Sequence, residues 1–449
     1  MSLKRTILKG TVILTLTGFA TRFMGFFYRI FLSQTFGEEG VGLYQLVFPV
    51  YALCFSLTSA GIETALARCV AARISTGKNK EAKNLLYISL FLSVTASCIV
   101  TVFLQKYADV IALELLKEKR CTDFLIILSY AFPFASVHSC IIGYYLGLKE
   151  TKIPAFSQLI EQVVRIVSVY LLYLAGVKNG VQFGISIAVV GLVTGEIASS
   201  LFCMRAITRK LYLYSKNVIT SRRFFTYASY AKELLLLSCP LTASRVLLNV
   251  LQSIEAISIP LKLQLYGMST HSALSIYGVL TGMALPCILF PSAITNSVST
   301  MLLPAIAEAQ ALNHRQQMKT IIKKSVFYCI LLGSACCIFL LLFGQWIGYC
   351  LFTSRLAGNF IVTLAWMCPF LYTNTTLISI INGIGKTSLS FLFNTISLGI
   401  RIVSVFFAIP VLGVKGYLWG LLGSQFCTFL LCILYLNFHF FTKSRETSA

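Results

Sequence analysis

The chain has 449 residues, of which 57% are hydrophobic and only 12% are charged, and its mean hydropathy is +0.82. This composition excludes a soluble globular protein of ordinary amino-acid usage. The net charge of +22 would suggest a nucleic-acid partner in a soluble protein, but basic cytoplasmic loops account for most of it in a membrane protein. We therefore predict an all-α polytopic membrane protein that contacts membrane lipids and binds no nucleic acid.

Twelve apolar runs are long enough to cross a hydrocarbon core of about 30 Å, which takes roughly 20 helical residues. Six fall in each half, so we predict an N-terminal lobe over 1–210, a basic cytoplasmic linker over 211–231 and a C-terminal lobe over 232–449. Because six is even, the two halves should be parallel repeats. The runs lie at 7–35, 41–68, 84–105, 122–148, 153–177, 182–205, 233–261, 272–308, 325–346, 358–383, 388–412 and 416–441.

The first predicted span carries small and cationic residues along one face. Charges in hydrocarbon are costly and usually face a bundle interior, a partner or water, and guanidinium groups bind phosphate through charge-assisted contacts that can be bidentate. We predict that Arg22 and Arg29 line a cavity and bind a diphosphate. The alternatives are pairing with acids on neighbouring helices or, for Arg29, a position among the outer headgroups. The residues of this face recur at spacings of four and three, and they are Gly18, Arg22, Gly25 and Arg29.

Three further charges are predicted to serve the same cavity. Glu63 on the second span and Glu255 on the seventh are candidates for pairing with an arginine or for carrying a coupling proton. Arg245, near the middle of the seventh span, is predicted to join the diphosphate site. Coupling to protons, to sodium or to the membrane potential all remain open, and we expect no cofactor.

The segment Arg-Ile-Val-Ser-Val occurs at 165–169 and again at 401–405, an offset of 236 positions. The same offset gives 12 identities over 128–169, which indicates an internal duplication. Glu161 lies four residues before Arg165, the favourable order for a helical ion pair, so we interpret these two residues as a structural pair. Arg401 has no such intrahelical partner, and both a structural and a ligand-binding role stay open for it.

The distribution of Lys and Arg predicts the topology. Segments assigned to the cytoplasmic side carry 24 of these residues and segments assigned outside carry 8. Cytoplasmic loops are enriched in positive residues, so we place both termini in the cytoplasm of a cell whose plasma membrane holds the protein.

Histidine and cysteine form no pattern typical of a metal or catalytic site. The fifteen cysteines lie mainly in apolar spans without zinc or disulfide spacing. No HExxH motif or histidine pair is present, so we predict neither a metal site nor an enzyme. The four histidines are His138, His271, His314 and His439.

Several local segments resemble the stage V sporulation protein B family of polysaccharide-biosynthesis transporters, within the multidrug/oligosaccharidyl-lipid/polysaccharide (MOP) exporter superfamily. The resemblance covers nearly the whole chain and is most specific in residues 18–65 and 128–170. It rests on Gly18-Phe-Ala-Thr-Arg-Phe-Met-Gly-Phe-Phe-Tyr-Arg29, Gly37-Glu-Glu-Gly-Val-Gly-Leu-Tyr-Gln45, Ser59-Ala-Gly-Ile-Glu-Thr-Ala65, Pro133-Phe-Ala-Ser-Val-His-Ser-Cys140 and Gly143-Tyr-Tyr-Leu-Gly-Leu-Lys149.

The resemblance implies two six-helix lobes around a central cavity. It also implies movement of an undecaprenyl-diphosphate-linked glycan, such as lipid II, from the inner to the outer leaflet, with spore cortex synthesis as one setting. Arg22 and Arg29 match the basic first-helix positions expected to approach the diphosphate. Many members carry two further carboxy-terminal helices, which the twelve predicted spans do not include.

Two other functions stay open. The acids Glu63 and Glu255 are compatible with a multidrug cation exporter. A polyprenyl-dependent glycosyltransferase or ligase would usually place catalytic acids or histidines in large outside loops. Only the loop 106–121 is sizeable, and it shows no recognisable catalytic group of residues.

Overall fold

The computed structural model describes residues 3–181, 183–214, 224–311 and 315–438. The structure is 92% helical, and the described ranges contain no strand. The chain is therefore an all-α polytopic membrane protein, as its composition predicts.

Seventeen α-helices and four short π-helical segments follow one another along these ranges. The π-helical segments are Ser56–Ala60, Ile111–Leu115, Val279–Ala284 and Ser404–Ala408. The α-helices are α1 Leu3–Phe55, α2 Gly61–Ser75, α3 Asn79–Val110, α4 Cys121–Ser129, α5 Ala131–Gly147, α6 Lys152–Lys178, α7 Ser186–Tyr214, α8 Phe224–Leu265, α9 Thr270–Gly278, α10 Leu285–Leu289, α11 Ser292–Ala311, α12 Arg315–Phe352, α13 Arg355–Ala365, α14 Cys368–Gly383, α15 Thr387–Val403, α16 Ile409–Leu412 and α17 Val414–Asn437.

Nine helical stretches of the described chain are long and apolar enough to cross a membrane, or 11 if each of two bent helix pairs counts as one span. The stretch Val12–Ser75 is 64 residues long, about twice what one crossing needs. The non-helical Gly37 divides this stretch into two parts, each long enough for one crossing. Counting the two parts separately raises the number from 11 to the 12 spans predicted from the sequence.

Gly37 divides this long stretch. Its φ of 72° and ψ of −178° break α1 between the first two predicted spans. A side chain at this φ is strained, whereas glycine adopts it without cost. The loop predicted between the spans is thus reduced to one non-helical residue.

The described chain forms two compact units, which differ from the predicted lobes. The first comprises Met1–Tyr28 and Leu43–Ser253, and the second comprises Arg29–Gly42 and Ile254–Ala449. Part of α1 therefore belongs to the second unit, and most of α8 belongs to the first. Residues 215–223 of the predicted linker lie outside the described residues, and the division into lobes at 211–231 stays a prediction.

Each unit has its own apolar core. In the first unit, α2, α3, α5, α7 and α8 supply it, with Leu66 and Leu85 buried completely. In the second unit, the core residues come from α11, α12, α14, α15 and α17, and Leu377 and Ile381 are buried completely. Elsewhere many large apolar side chains are exposed, such as Phe91 and Leu342, which suits helices whose outer surface contacts lipid.

Each unit contains one sharply bent helix pair, and the two pairs occupy related positions in the sequence. In the first unit, α4 and α5 meet at 43°, and in the second α13 and α14 meet at 58°. The offset of 236 carries the ends of α4 and α5, Ser129 and Gly147, onto the ends of α13 and α14, Ala365 and Gly383. The boundaries of these helices thus follow the repeat read from the sequence.

Candidate functional site

The two arginines of α1 differ in their surroundings. Arg22 is exposed and makes no hydrogen bond or ion pair with any residue that the structure describes. Arg29 is half-buried, and its Nη1 lies 3.4 Å from the carbonyl oxygen of Thr281. Both lie on the continuous helical part of α1 that precedes Gly37, seven residues apart.

Arg245 contacts the start of α2 within the first unit. Its Nη1 donates to the carbonyl of Ala60 at 2.5 Å and its Nη2 to the hydroxyl of Thr64 at 2.9 Å. Like Thr281, which Arg29 contacts, Ala60 belongs to a π-helical segment. Such a segment interrupts the regular pattern of backbone hydrogen bonds and often marks a functional site. A guanidinium group therefore supports a carbonyl of a π-helical segment in each unit.

Glu63 accepts a hydrogen bond from Ser139 Oγ at 2.7 Å, so α2 and α5 are joined by a polar contact. The next turns of the same interface are also polar, because Ser59 and Ser136 share a hydrogen bond of 2.8 Å. Glu63 is half-buried, and its proposed coupling role stays a prediction.

Glu161 and Arg165 are brought together, as their spacing suggests. Arg165 Nη2 donates to Glu161 Oε1 one turn earlier on α6. Arg165 Nε is buried without a hydrogen-bond partner. The pair is half-buried in the first unit, and its two charges compensate each other.

Glu255 and Arg401 form an ion pair that the sequence does not reveal. Arg401 Nε and Nη2 donate to the two carboxylate oxygens of Glu255, each at 2.7 Å. Tyr417 adds a hydroxyl donor to Glu255 Oε1 at 2.6 Å. With both oxygens of Glu255 engaged and its side chain 3% exposed, this geometry favours the structural role for Arg401.

A buried polar cluster in the first unit was missed by sequence reasoning. His138 on α5 lies 3.4 Å from Glu196 on α7 and 3.1 Å from Ser157 on α6, through its two ring nitrogens. Glu196 also accepts from the hydroxyl of Tyr51 at 2.9 Å. One ring nitrogen of His138 and one carboxylate oxygen each of Glu161 and Glu196 all lie within 4.8 Å of one another. Each of these three side chains has a partner in the protein, so the cluster is held by internal ion pairs and hydrogen bonds.

The sequence contained a partial signal for this cluster. Glu196 is an acid in the middle of an apolar span, which by itself indicates a functional residue. His138 showed no neighbour in a histidine motif, and 58 residues separate it from Glu196. Only the packing of α5 against α7 brings the two side chains together.

The comparisons with known proteins agree with this architecture. Residues 7–310 match the model of the polysaccharide biosynthesis protein family, so the chain belongs to that family. It is 29% identical over 419 residues to stage V sporulation protein B of Bacillus subtilis (strain 168), covering 92% of this chain and 80% of that protein. It is also 25% identical over 169 residues to the lipid II flippase MurJ of the same organism, covering 36% of this chain and 31% of MurJ.

Solved structures share the fold. An inward closed conformation of the lipid II flippase MurJ gives a TM-score of 0.73 at 15% identity, covering 95% of this chain and 87% of that one. An inward-facing multidrug resistance MATE family transporter of the MOP superfamily gives 0.71 at 16% identity, with 96% of each chain covered. These relatives are transporters and flippases rather than enzymes. The family and the fold predicted from the local segments are confirmed.

Proposed function

We propose that this protein is a flippase for saccharides linked to undecaprenyl diphosphate, the precursors of peptidoglycan or another envelope polysaccharide. It moves them from the inner to the outer leaflet of the plasma membrane by alternating access, with both termini in the cytoplasm. The family and the relatives named for lipid II flipping and for sporulation support this substrate class, and the spore cortex is one setting for the activity.

The observation that carries the proposal is the position and surroundings of Arg22. It lies within a candidate membrane span, is exposed, and has no polar partner among the described residues. A guanidinium without a partner in a span is costly unless it meets water or an anionic ligand. A diphosphate meets this need, because its oxygens accept charge-assisted hydrogen bonds from the guanidinium fork.

Arg29 and Arg245 are the other two arginines of the proposed diphosphate site, and both have polar contacts in the protein. Arg29 contacts the carbonyl of Thr281, and Arg245 uses two donors on Ala60 and Thr64. A guanidinium offers five N–H donors, so the two donors that Arg245 gives to Ala60 and Thr64 leave others for a phosphate. We assign Arg22 the main role in diphosphate binding and these two a supporting role.

Export of cationic drugs is the rival function. The MATE structure is nearly as similar in fold as the MurJ structure, with TM-scores of 0.71 and 0.73, and at 16% and 15% identity both similarities concern the fold alone. Arg22 supports the diphosphate over the rival ligand, because a guanidinium without an acidic partner attracts an anion and repels a cationic drug.

A reconstituted translocation assay tests the proposal. Proteoliposomes containing undecaprenyl diphosphate with a fluorescent saccharide are mixed with a membrane-impermeant quencher, and the transfer of label between leaflets is followed. We expect Arg22→Ala to slow transfer about 10- to 100-fold, because hydrogen bonds to charged groups contribute about 1.5–3 kcal/mol each. Arg22→Lys should restore part of the rate, since it keeps the charge and loses the fork.

Arg68→Ala is the matched control, because Arg68 is also exposed but lies at the predicted cytoplasmic end of its span. It should transfer label at nearly the wild-type rate. Equal rates for properly inserted wild type and Arg22→Ala would refute the binding site, and export of a cationic dye without transfer of the saccharide would favour the rival.

A further inference from the structure

The contacts around His138 offer a place for one more proton than a neutral imidazole and an ionised carboxylate supply. Ser157 Oγ donates its single hydrogen to the carbonyl of Pro154 at 2.9 Å. When the serine keeps this bond, it accepts in its 3.1 Å contact with His138 Nε2, and Nε2 then carries a hydrogen.

The second ring nitrogen faces acceptors as well. When Ser199 Oγ donates its hydrogen to the backbone carbonyl of Glu196 at 3.0 Å, it accepts in its 3.3 Å contact with His138 Nδ1. Glu196 Oε2 lies 3.4 Å from the same nitrogen. An imidazole nitrogen without hydrogen beside an ionised carboxylate would place two lone pairs against each other. A proton on Nδ1, or on Glu196, turns this contact into a hydrogen bond.

The net charge of the cluster also favours one bound proton. Glu161 is compensated by Arg165, which leaves Glu196 opposite His138. With a neutral imidazole the cluster carries a net charge of −1, and with one bound proton it is neutral. Because the side chains of His138 and Glu196 are only 8% and 7% exposed, the uncompensated negative charge is expensive.

The acids and the tyrosine around His138 do not supply this proton. Tyr51 donates to Glu196 and Ser139 donates to Glu63, so both acids remain acceptors. Glu63 lies on α2 and contributes another negative charge near His138. Cys203 on α7 is within hydrogen-bonding reach of the imidazole and, like the hydroxyls of Ser157 and Ser199, is an alternative donor to it.

The repeat shows that this cluster is particular to the first unit. At the offset of 236, His138 corresponds to Asn374 and Glu196 to Cys432, while Glu161 corresponds to Ser397. Asn374 cannot change its protonation, and it donates to the backbone carbonyl of Gln425 at 2.8 Å. The titratable pair therefore has no counterpart at the equivalent positions of the second half.

We propose that His138 and Glu196 form a buried proton-binding site in the first unit, and that gain and loss of this proton are coupled to transport. On release the proton leaves Nδ1 or the carboxyl for water, the electron pair stays on the cluster, and its charge changes from 0 to −1. A change of charge at a buried site favours a different local packing or hydration. The binding step stands on the geometry alone, whereas the coupling step rests on the proposed function.

Proton binding is tested on the full chain in lipid nanodiscs at pH 7.5. Nitrogen-15 NMR of histidine-labelled protein reports the two ring nitrogens, and His138→Gln assigns the signal. We expect either a doubly protonated His138, although an ordinary histidine is mostly neutral at this pH, or an infrared band of a protonated carboxyl that disappears in Glu196→Gln. A neutral His138 together with an ionised Glu196 would overturn the proposal.

Two variants serve as controls for this measurement. His271→Gln removes a histidine that is 70% exposed and should leave the signal of His138 unchanged. Cys203→Ala should also leave it unchanged. If Cys203→Ala converts the imidazole to another tautomer without loss of a proton, the thiol is the donor and the proton site is rejected.

Coupling is tested by imposing a pH gradient in the translocation assay. The wild-type rate should change by up to about tenfold per pH unit, the limit set by one proton, and His138→Gln and Glu196→Gln should lose this response. His271→Gln should keep it. A wild type that transfers label equally with and without the gradient overturns the coupling, whereas a wild type that transfers none refutes the proposed function and leaves proton binding to be decided by the spectra.

Discussion

At the scale of single residues, the ion pair between Glu255 and Arg401 shows how a charge is retained inside a membrane helix. Both oxygens of Glu255 are engaged, and Tyr417 adds a third donor. The carboxylate is 3% exposed, while the guanidinium is 28% exposed. If the pair is broken, Arg401 therefore keeps some access to the molecular surface, but Glu255 does not.

We expect single changes of this pair to be costly and the double change to be milder. Arg401→Gln leaves a buried carboxylate without its cation, which costs about 3–5 kcal/mol. In Glu255→Gln/Arg401→Gln both charges are gone, so the loss should be smaller than the sum of the single losses. Thermal unfolding of the purified protein measures these differences.

Lys415→Gln provides the control, because Lys415 is exposed and close to Tyr417 in the sequence. Its melting temperature should stay near that of the wild type. Additive losses in the double variant would contradict a direct pair and would favour a ligand-binding role for Arg401.

At the scale of elements, the contact of α5 with α2 depends on a glycine. A Cβ built at Gly143 lies 2.6 Å from the carbonyl oxygen of Glu63 and 3.2 Å from its Cα. These are backbone atoms, so no side-chain rotation relieves the overlap. The same helix pair carries the contact between Ser139 and Glu63, which makes close approach a condition for that hydrogen bond.

Gly143→Ala should therefore separate α5 from α2. We expect a loss of about 1–3 kcal/mol, the usual cost of overpacking, measured as a lower melting temperature. Gly399→Ala is the matched change in the second unit, since no atom lies within 4 Å of the Cβ built there. Alanine is the better helix former by roughly 0.8–1 kcal/mol, so this variant should be neutral or slightly stabilised. Equal destabilisation by both variants would contradict the packing argument.

At the scale of the whole molecule, the charges of the loops predict which residues face the cytoplasm. The predicted topology places Lys80 inside and Lys119 outside, and the side chains of both residues are exposed. In Lys80→Cys and Lys119→Cys, an impermeant thiol reagent applied to intact cells should label only the second variant. Lysed cells should label both.

The wild-type chain is the control for this experiment, because Cys98, Cys239 and Cys350 are exposed and set the background. Labelling of both engineered cysteines from the same face would reject the topology and, with it, the parallel arrangement of the repeats.

The sequence alone determined the features that depend on neighbouring residues. Apolar runs of about 20 residues define spans because the hydrocarbon thickness fixes their length. The spacing of Glu161 and Arg165 places them one helical turn apart, and they meet. The repeat at 236 residues carries the bent pair α4 and α5 onto α13 and α14.

Only the tertiary structure decided which distant residues become partners. His138 and Glu196 are 58 residues apart, and Arg401 and Glu255 are 146 apart. Helical periodicity places each of them on a face of its own helix but says nothing about which helix packs against that face. The partners therefore follow from interhelical packing. Packing also decides that Arg401 is paired with an acid, whereas Arg22 has no such partner in the part of the chain that the structure describes.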